Sequence, residues 1–298
     1  MRYLFFIGFC CLIILPATAQ DYEWQWSERG GGWVGLSSDT PTYHREYEKV
    51  NSVAVDGDNN YYFLADVGKY NTTFGDIEFQ TYQGDFYDNS DTYIVSTDCQ
   101  GEFRWQKTIG GSKQDIAREI KVDQNGGIYV AGRVSATSEY NNWDAPVHFD
   151  TDSIMGFGAH DQPRPANKTI YLIKYDSAGN FQWLRMPQSP DLTSSQSGSG
   201  QSMGLAVGSD GTLHWLCALG AGTHLDGQVV VPDDVNYTQW MILRYSSDGN
   251  YLGNTLVPFE GLFNYYSIQF HYDPLNGQYY FGAYRTSSNT MAFNNIPL

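Results

Sequence analysis

DTYIVSTDCQGEFRWQKTIGGSKQDIAREIKVDQNGGIYVAGRV, residues 91–134, is the stretch from which the fold can be predicted. An apolar run leads through a glycine turn into a run that carries a tryptophan. After a Gly-Gly break, a second pair of runs is joined by an Asp/Asn/Gly turn. Runs rich in Val, Ile and Tyr between such turns are typical of β-strands. The stretch therefore predicts four strands in two hairpins.

The first hairpin of this stretch recurs along the chain without a gap. Its copies are residues 92–105, 170–183 and 240–253. Glycine stands at the same place in each turn: Gly101, Gly179 and Gly249. A tight turn with positive φ requires this residue. Trp105 and Trp183 also match, whereas the third copy has Gly253 at that position, so its last strand is predicted to be the weakest.

A second hairpin and a short third element complete the repeat. The second hairpin occurs at 52–67, 119–134, 204–219 and 267–285. The third element occurs at 72–79, 147–154, 223–230 and 292–298. We interpret it as a short extended segment that anchors a long loop to the sheet.

These copies predict an all-β protein, a β-propeller built from four-stranded antiparallel blades. Inner strands that are apolar on successive residues indicate burial on both faces, which favours a propeller over a two-sheet sandwich. The predicted propeller is incomplete, with about three full blades and partial units at both ends. The units are approximately 50–111, 112–186, 202–256 and a truncated 265–298, with a lone strand at 22–28. We interpret the chain as an N-terminal fragment of a longer propeller protein.

The N-terminus predicts export. Residues 3–15 form an apolar run, and Ala17-Thr18-Ala19 before Gln20 has the small-x-small form of a signal-peptidase site. We therefore predict a signal peptide at 1–19 and a secreted or cell-surface protein. The run is shorter than the roughly 20 residues that span a bilayer, so no membrane insertion is expected.

The charge is strongly acidic, and the cysteines are few. The net charge is −16, with 33 acidic and 17 basic side chains. Such a field repels nucleic acid, and no nucleic-acid partner is expected. After removal of the signal peptide only Cys99 and Cys217 remain, and we expect two unpaired thiols with Cys217 buried. Stability must then come from burial rather than from disulfides.

One turn resembles a calcium loop. Asp56, Asp58 and Asn60 place oxygen ligands at alternate positions, as calcium loops do. The distal glutamate of the helical calcium motif is absent, and the segment aligns with ordinary turns in the other copies. Calcium is therefore a weak candidate cofactor, and an ordinary turn is the competing interpretation.

The longest loop is the candidate for ligand binding. Its candidate residues are Tyr140, Trp143, Phe149, Phe157 and His160. Exposed aromatic rings on the rim would suit a sugar or a protein partner, but they could equally fold down onto the blade. The sequence has no Gly-x-Ser-x-Gly elbow and no histidine spacing typical of a metal site, so no catalytic residue is predicted.

The order Asp-x-Tyr-Ile-Val, Gly-x-Phe-x-Trp, Gly-Gly and Val-Asp-x-x-Gly-x-Ile-Tyr-Val-x-Gly in 91–132 resembles the seven-bladed β-propeller repeat family known as SBBP repeats. The resemblance covers roughly residues 22–298. It implies a propeller fold and an extracellular address in bacteria. That family shares no catalytic residues, so the resemblance transfers no active site.

Three functions follow as hypotheses. The first is a secreted scaffold or binding module whose rim loops contact an extracellular glycan or protein. The alternative is part of a secreted polysaccharide-degrading enzyme, a hydrolase or lyase, whose site is completed by further blades. The third is a passive stalk for a cargo domain. The sequence predicts no oligomeric state.

Overall fold

The computed structural model describes most of the repeat region. The residues described are 26–33, 49–68, 70–82, 90–111, 115–134, 147–149, 154–155, 169–188, 200–232, 238–260, 268–282, 292–293 and 296–297. Its strands are β1 (Gly30–Trp33), β2 (Lys49–Val55), β3 (Tyr61–Val67), β4 (Tyr70–Phe74), β5 (Ile77–Glu78), β6 (Asp91–Thr97), β7 (Phe103–Ile109), β8 (Ile116–Val122), β9 (Ile128–Val134), β10 (Val147–His148), β11 (Ile154–Met155), β12 (Thr169–Tyr175), β13 (Phe181–Arg185), β14 (Gln201–Val207), β15 (Leu213–Leu219), β16 (Gly222–His224), β17 (Val229–Val231), β18 (Gln239–Tyr245), β19 (Tyr251–Leu256), β20 (Phe259–Glu260), β21 (Gln269–Asp273), β22 (Gln278–Gly282), β23 (Ala292–Phe293) and β24 (Ile296–Pro297). A single 3₁₀ turn, Leu225–Gly227, is the only helical segment in these residues.

Three four-stranded antiparallel sheets form the body of the protein. Blade 1 is β2-β3-β6-β7, blade 2 is β8-β9-β12-β13 and blade 3 is β14-β15-β18-β19. In each blade the strands lie side by side in chain order, and we call them a, b, c and d. The hairpin β21–β22 repeats strands a and b of a fourth unit. The predicted all-β, incomplete β-propeller-like architecture is therefore confirmed.

The third element of the repeat forms small hairpins. They are β4–β5, β10–β11, β16–β17 and β23–β24, each outside the four-stranded sheets. β1 pairs with β4, and β20 pairs with β23. The extended segments predicted there exist, and in each copy the chain turns back to pair with itself.

One turn geometry joins a to b and c to d. The first residue of the turn donates its backbone N–H to the carbonyl four residues later, and the fourth residue donates back to the first. The first residues are Asp56, Asp98, Asp123, Asp176, Gly208 and Ser246. The fourth residue has positive φ each time: Asn59, Gly101, Gly126, Gly179, Gly211 and Gly249. A left-handed residue of this kind closes a three-residue hairpin loop, which explains the recurring glycine.

The blades pack face to face in chain order. We call the face toward the preceding unit the front face and the opposite one the back face. Tyr62 and Leu64 on the back of blade 1 share a core with Val130 and Ile173 on the front of blade 2. Two further cores of the same kind join blade 2 to blade 3 and blade 3 to β21–β22. The a strands contact one another in succession, β2 with β8, β8 with β14 and β14 with β21, as the inner strands of a propeller do.

A tryptophan from blade 1 and one from blade 2 each cover the c–d turn of the following blade. The Trp105 ring lies on Gly179 and the Trp183 ring on Gly249. Each indole N–H also donates to a carbonyl of that turn, Trp105 to Ser177 and Trp183 to Ser247, both at 3.0 Å. Burial of a large ring together with a satisfied indole N–H makes this a strong contact between blades.

Trp26 holds the same place before blade 1. Its ring lies on Gly101 and meets Tyr61 and Phe63 edge-on, with centroids 5.9 and 6.0 Å apart. Residues 26–29 are not part of a strand, and the first described strand begins at Gly30. Residues 22–25 of the predicted lone strand, and the predicted signal peptide, lie outside the described residues.

The prediction for the cysteines can also be compared with the structure. Cys217 is buried, as predicted, and Cys99 is exposed; both carry free thiols. His224 is buried and its Nε2 lies 2.9 Å from the Gly220 carbonyl oxygen, which is a packing role. In the described part of the chain no helix is long and apolar enough to cross a membrane.

Candidate functional site

The two ends of the blades differ in how strictly they repeat. The a–b and c–d turns lie at one end, which we call the turn end. The b–c loops and the connections between blades lie at the other, which we call the loop end. The turn end repeats one geometry in all blades. Features specific to this chain are therefore expected at the loop end.

The calcium candidate lies at the turn end, and the turn uses its oxygens. Oδ1 of Asp56 accepts the backbone N–H groups of Asp58 and Asn60, both at 2.9 Å. Oδ2 accepts the Asn60 amide at 2.8 Å and the Tyr62 hydroxyl at 2.7 Å. A carboxylate has about four lone-pair positions, so these donors fill it. Calcium would have to displace bonds that hold the turn together.

The same hydrogen bonds affect the ionisation of this carboxylate. Partial burial acts to raise the pKa of Asp56, but the bonds from Asn60, Tyr62 and Asp58 outweigh it and lower the pKa below its usual value. Asp176 holds an equivalent turn and its pKa is lowered in the same manner. Asp56 is thus one member of a repeated structural class. Among the described residues no group of three or more His, Cys, Asp or Glu side chains is arranged to hold a metal ion.

Of the rim-loop candidates, the structure describes Phe149. Its side chain is fully buried in the core between blades 1 and 2 and meets Tyr171 edge-on at 5.2 Å. It therefore presents no ring to a ligand, and the alternative of folding onto the blade holds for this residue. Tyr140, Trp143, Phe157 and His160 lie outside the described residues.

The loop end of the seam between blades 1 and 2 carries a polar cluster. Strand a of each of the three blades has a β-bulge near this end, and the extra residues are Asn51, Arg118 and Met203. A bulge re-aims one side chain out of the regular alternation. The Asn51 amide donates to the Ala117 carbonyl of blade 2 at 2.9 Å, so the first bulge bridges the two blades.

Asp66 is the centre of this cluster. Burial raises the pKa of its carboxyl to about 6, although a hydrogen bond from Asn51 and the charges of Arg118, Lys49 and Arg133 oppose the rise. Oδ1 is buried without a hydrogen-bond partner. The net upward shift means that desolvation outweighs three nearby cations. The ionised form of Asp66 is therefore destabilised by its surroundings at neutral pH.

A pair of carboxyl groups, Asp91 and Asp115, lies where strand c of blade 1 begins. Asp91 and Asp115 are both fully buried. Burial, and then the charge of Asp115, raise the pKa of Asp91 well above its usual range. Oδ2 of Asp115 accepts the Gly111 N–H at 2.7 Å, and Asp115 itself donates its backbone N–H to the Ser90 carbonyl. These groups fasten the crossing from blade 1 to blade 2.

Tyr82, His148 and Gly110 form a series of contacts beside Asp91. Its Oδ2 accepts the backbone N–H of Tyr82, whose ring stacks on His148 at 3.8 Å. His148 in turn exchanges two backbone hydrogen bonds with Gly110. A Cβ at position 110 would overlap the Asp91 carboxylate, so only glycine fits there. Burial lowers the pKa of His148, which favours the neutral form of the ring that stacks on Tyr82.

The cluster belongs to one seam and does not repeat. The position of Asp66 is occupied by Arg133 in blade 2 and by Ala218 in blade 3. The position of Asp91 is occupied by Thr169 and Gln239. The middle of strand b stays apolar and buried in every blade, at Leu64, Ala131 and Leu216. The loop end of the first seam thus differs in chemistry from the equivalent positions of blades 2 and 3. Sequence reasoning missed it, and the signal that could have found it was the change of charge at equivalent positions.

Comparison with known proteins agrees with this architecture. The fold and its seams define a β-propeller-like repeat module. The chain is similar to an uncharacterized WD repeat-containing protein of Acanthamoeba polyphaga mimivirus, with 27% identity over 207 residues. That alignment covers 67% of this chain, and the chain covers 14% of the relative's length. No protein-family model matches the chain.

Proposed function

We propose that this chain is a secreted β-propeller module that binds an extracellular protein or glycan at the loop end of the seam between blades 1 and 2. The observation that carries the proposal is the exchange of Asp66 for Arg133 and Ala218 at equivalent positions. Positions with a structural role vary less, since the first residue of the turns is aspartate in four of six cases. Variable loops on a constant scaffold are where binding residues concentrate.

Two features support the extracellular part of the proposal. Residues 1–19 have the form of a signal peptide, and residues 91–132 resemble the secreted SBBP repeats of bacteria. Export is tested by recovering the protein from the culture medium and sequencing its N-terminus. A mature chain that begins at Gln20 supports secretion, and a chain retained in the cell with Met1 intact contradicts it.

Binding is tested with two matched charge reversals. Lys49 is exposed at the loop end of β2, whereas Lys121 lies at the turn end of β8 with its side chain 40% exposed. The native protein is screened on a glycan array and against purified extracellular proteins. Lys49→Glu should weaken the binding found there by about tenfold, and Lys121→Glu should leave it unchanged. Equal effects of the two variants, or no effect of Lys49→Glu, would overturn the assignment of the site.

The second candidate, a polysaccharide hydrolase or lyase, receives no specific support. Raised carboxyl pKa values do occur in such enzymes. Asp91 and Asp115, however, are fully buried, and they accept the backbone N–H groups of Tyr82 and Gly111. A substrate could reach them only after the seam opened.

A further inference from the structure

Three buried side-chain oxygens between blades 1 and 2 have no hydrogen-bond partner among the residues that the structure describes. They are Oδ1 of Asp66 and Oγ1 of Thr92 on the back of blade 1, and the hydroxyl oxygen of Tyr171 on the front of blade 2. Thr92 and Tyr171 are 0% exposed. Buried polar atoms in folded proteins are bonded either to protein or to ordered water, because a lost bond to solvent is otherwise not replaced.

The three oxygens lie close to one another. Asp66 and Thr92 stand opposite each other where β3 pairs with β6, and the Cβ atoms of such a pair are about 4.5–5.5 Å apart. The Tyr171 hydroxyl lies over Gly132, where a Cβ would come within 2.5 Å of it. Burial raises the pKa of Tyr171, and the Thr92 hydroxyl opposes the rise, so the two hydroxyls are neighbours although they make no direct hydrogen bond. A gap of this kind is where a bridging water is expected.

The next seam has no such group of oxygens. In the aligned copies, the positions of Thr92 and Tyr171 are occupied by Ile170 and Met241 between blades 2 and 3. Both of these side chains belong to the apolar core of that seam and are 0% and 2% exposed. The fold therefore accepts apolar residues at these positions, and the buried oxygens are specific to the first seam.

The charges around Asp66 favour water over a metal ion. Lys49 stands opposite Asp66 where β2 pairs with β3, and the charges of Arg118 and Arg133 also act on its carboxyl group. A metal ion would meet three positive charges around one carboxylate, which repel it. A water molecule is neutral, both donates and accepts, and makes about three hydrogen bonds inside a protein. Three oxygens therefore match the bonding capacity of one water.

We propose that the seam between blades 1 and 2 binds one ordered water molecule that joins Asp66, Thr92 and Tyr171. The two hydroxyl groups donate to the water oxygen, and the water donates to Oδ1 of Asp66. The water thus links strands b and c of blade 1 to strand c of blade 2. With the bond from Asn51 to the Ala117 carbonyl, it gives this seam a second polar bridge between the blades.

A high-resolution crystal structure of the native protein tests the site directly. A single peak of electron density should lie about 2.5–3.0 Å from all three oxygens. The proposal is overturned if no peak lies there, or if the three side chains bond one another directly. It is overturned equally by a peak with oxygen ligands at about 2.3–2.6 Å, because those distances belong to calcium.

The same water can be counted in solution by magnetic relaxation dispersion of the water oxygen nuclei, which detects molecules held inside a protein. The double variant Thr92→Val/Tyr171→Phe keeps the shape of both side chains but leaves the water one partner, fewer than the two it needs. The count should fall by one. Tyr175→Phe is the matched control, since Tyr175 lies on the same strand and donates its hydroxyl to the Phe149 carbonyl at 3.3 Å. A count that is unchanged in the double variant, or that falls equally in Tyr175→Phe, would contradict the proposed site.

Discussion

Trp105 of blade 1 lies so close to Gly179 of blade 2 that a Cβ at position 179 would come within 2.8 Å of the indole Cδ2. The same relationship joins Trp183 to Gly249 and Trp26 to Gly101. Each glycine thus has two duties. It adopts the positive φ of the turn, and it leaves room for the ring of the blade before.

These two duties can be separated by substitution. Gly179→Ala and Gly211→Ala place a side chain at nearly the same φ, +82° and +80°. At Gly211 the nearest atom is Ser247 Cβ at 3.8 Å, so only the backbone cost of about 1–2 kcal/mol applies. Gly179→Ala should cost about 1–3 kcal/mol more, because the Trp105 ring must move. Urea unfolding measures both. Equal losses of unfolding free energy in the two variants would show that displacing the Trp105 ring costs no energy.

Asp56→Ala should destabilise the protein by about 1–2 kcal/mol, since it leaves the two turn N–H groups of Asp58 and Asn60 without their acceptor. Ser246→Ala is the control, because Ser246 Oγ accepts only from Asn250 in its turn. Ser246→Ala should lower the stability of the protein by less than Asp56→Ala. For each of the two variants, thermal unfolding should give the same melting temperature with calcium as with a chelator. A calcium-dependent rise in melting temperature that Asp58→Ala abolishes would restore the metal interpretation of this turn.

Asp66→Asn should stabilise the protein at neutral pH. The folded-state pKa of about 6 lies above the usual value of 3.8, so the native carboxyl favours the proton. Its contribution to stability is fully present below about pH 4 and is lost as the pH rises to about 6. The variant should therefore gain on the order of 1–3 kcal/mol above pH 6 and nothing at pH 4. Urea unfolding of both proteins across this range measures the difference. A gain that does not change with pH would contradict the assigned shift.

The docking of β21–β22 should weaken in acid. The His214 ring stacks on Tyr272 at 3.9 Å, and its Nδ1 lies 2.9 Å from the Tyr279 hydroxyl. Burial lowers the pKa of His214 to about 4, with Arg244 acting in the same direction and Asp210 against it. A lowered histidine pKa stabilises the fold above the usual 6.5, and this contribution is lost as the pH falls toward 4.

Hydrogen exchange of residues 269–282 measures this docking. Protection corrected for the intrinsic rate should fall between about pH 6.5 and pH 4. Because the ring is about half buried, solvent moderates the effect, and only its direction is predicted. His214→Phe keeps an aromatic ring and should remove the pH dependence. Unchanged protection in the native protein over this range would contradict the prediction.

The sequence predicts the hairpins because their turns are local. A left-handed fourth residue demands glycine or asparagine, and that demand is visible at Gly101 or Gly126 without any knowledge of tertiary contacts. The apolar b and c strands are visible for a similar reason, because burial on both faces excludes polar residues. This is why the four-stranded unit and its antiparallel order follow from residues 91–134 and their copies.

Contacts between blades are less visible in the sequence. The indole of Trp105 bonds a residue 72 positions away, and nothing near either residue announces the pairing. The polar cluster at the first seam is harder still to predict from the sequence. Its residues Asp66, Asp91 and Asp115 come from two blades and look like surface residues by composition. The sequence also left open whether Phe149 lies on an exposed rim or folds onto the blade, and it fills the core beside Tyr171. In each case the partner, and not the local pattern, decides burial.

The tryptophan contacts also imply an order in which the blades can form. In each case the ring is synthesised before the glycine turn that it covers, 72 residues before the Ser177 carbonyl for Trp105 and 64 before the Ser247 carbonyl for Trp183. When blade 2 or blade 3 is synthesised, the tryptophan that covers its c–d turn is therefore already present. Addition of a unit at the C-terminal side extends a template without disturbing earlier units, as in other arrays held by neighbour contacts. Growth of such a protein, on the ribosome or in evolution, can proceed one blade at a time.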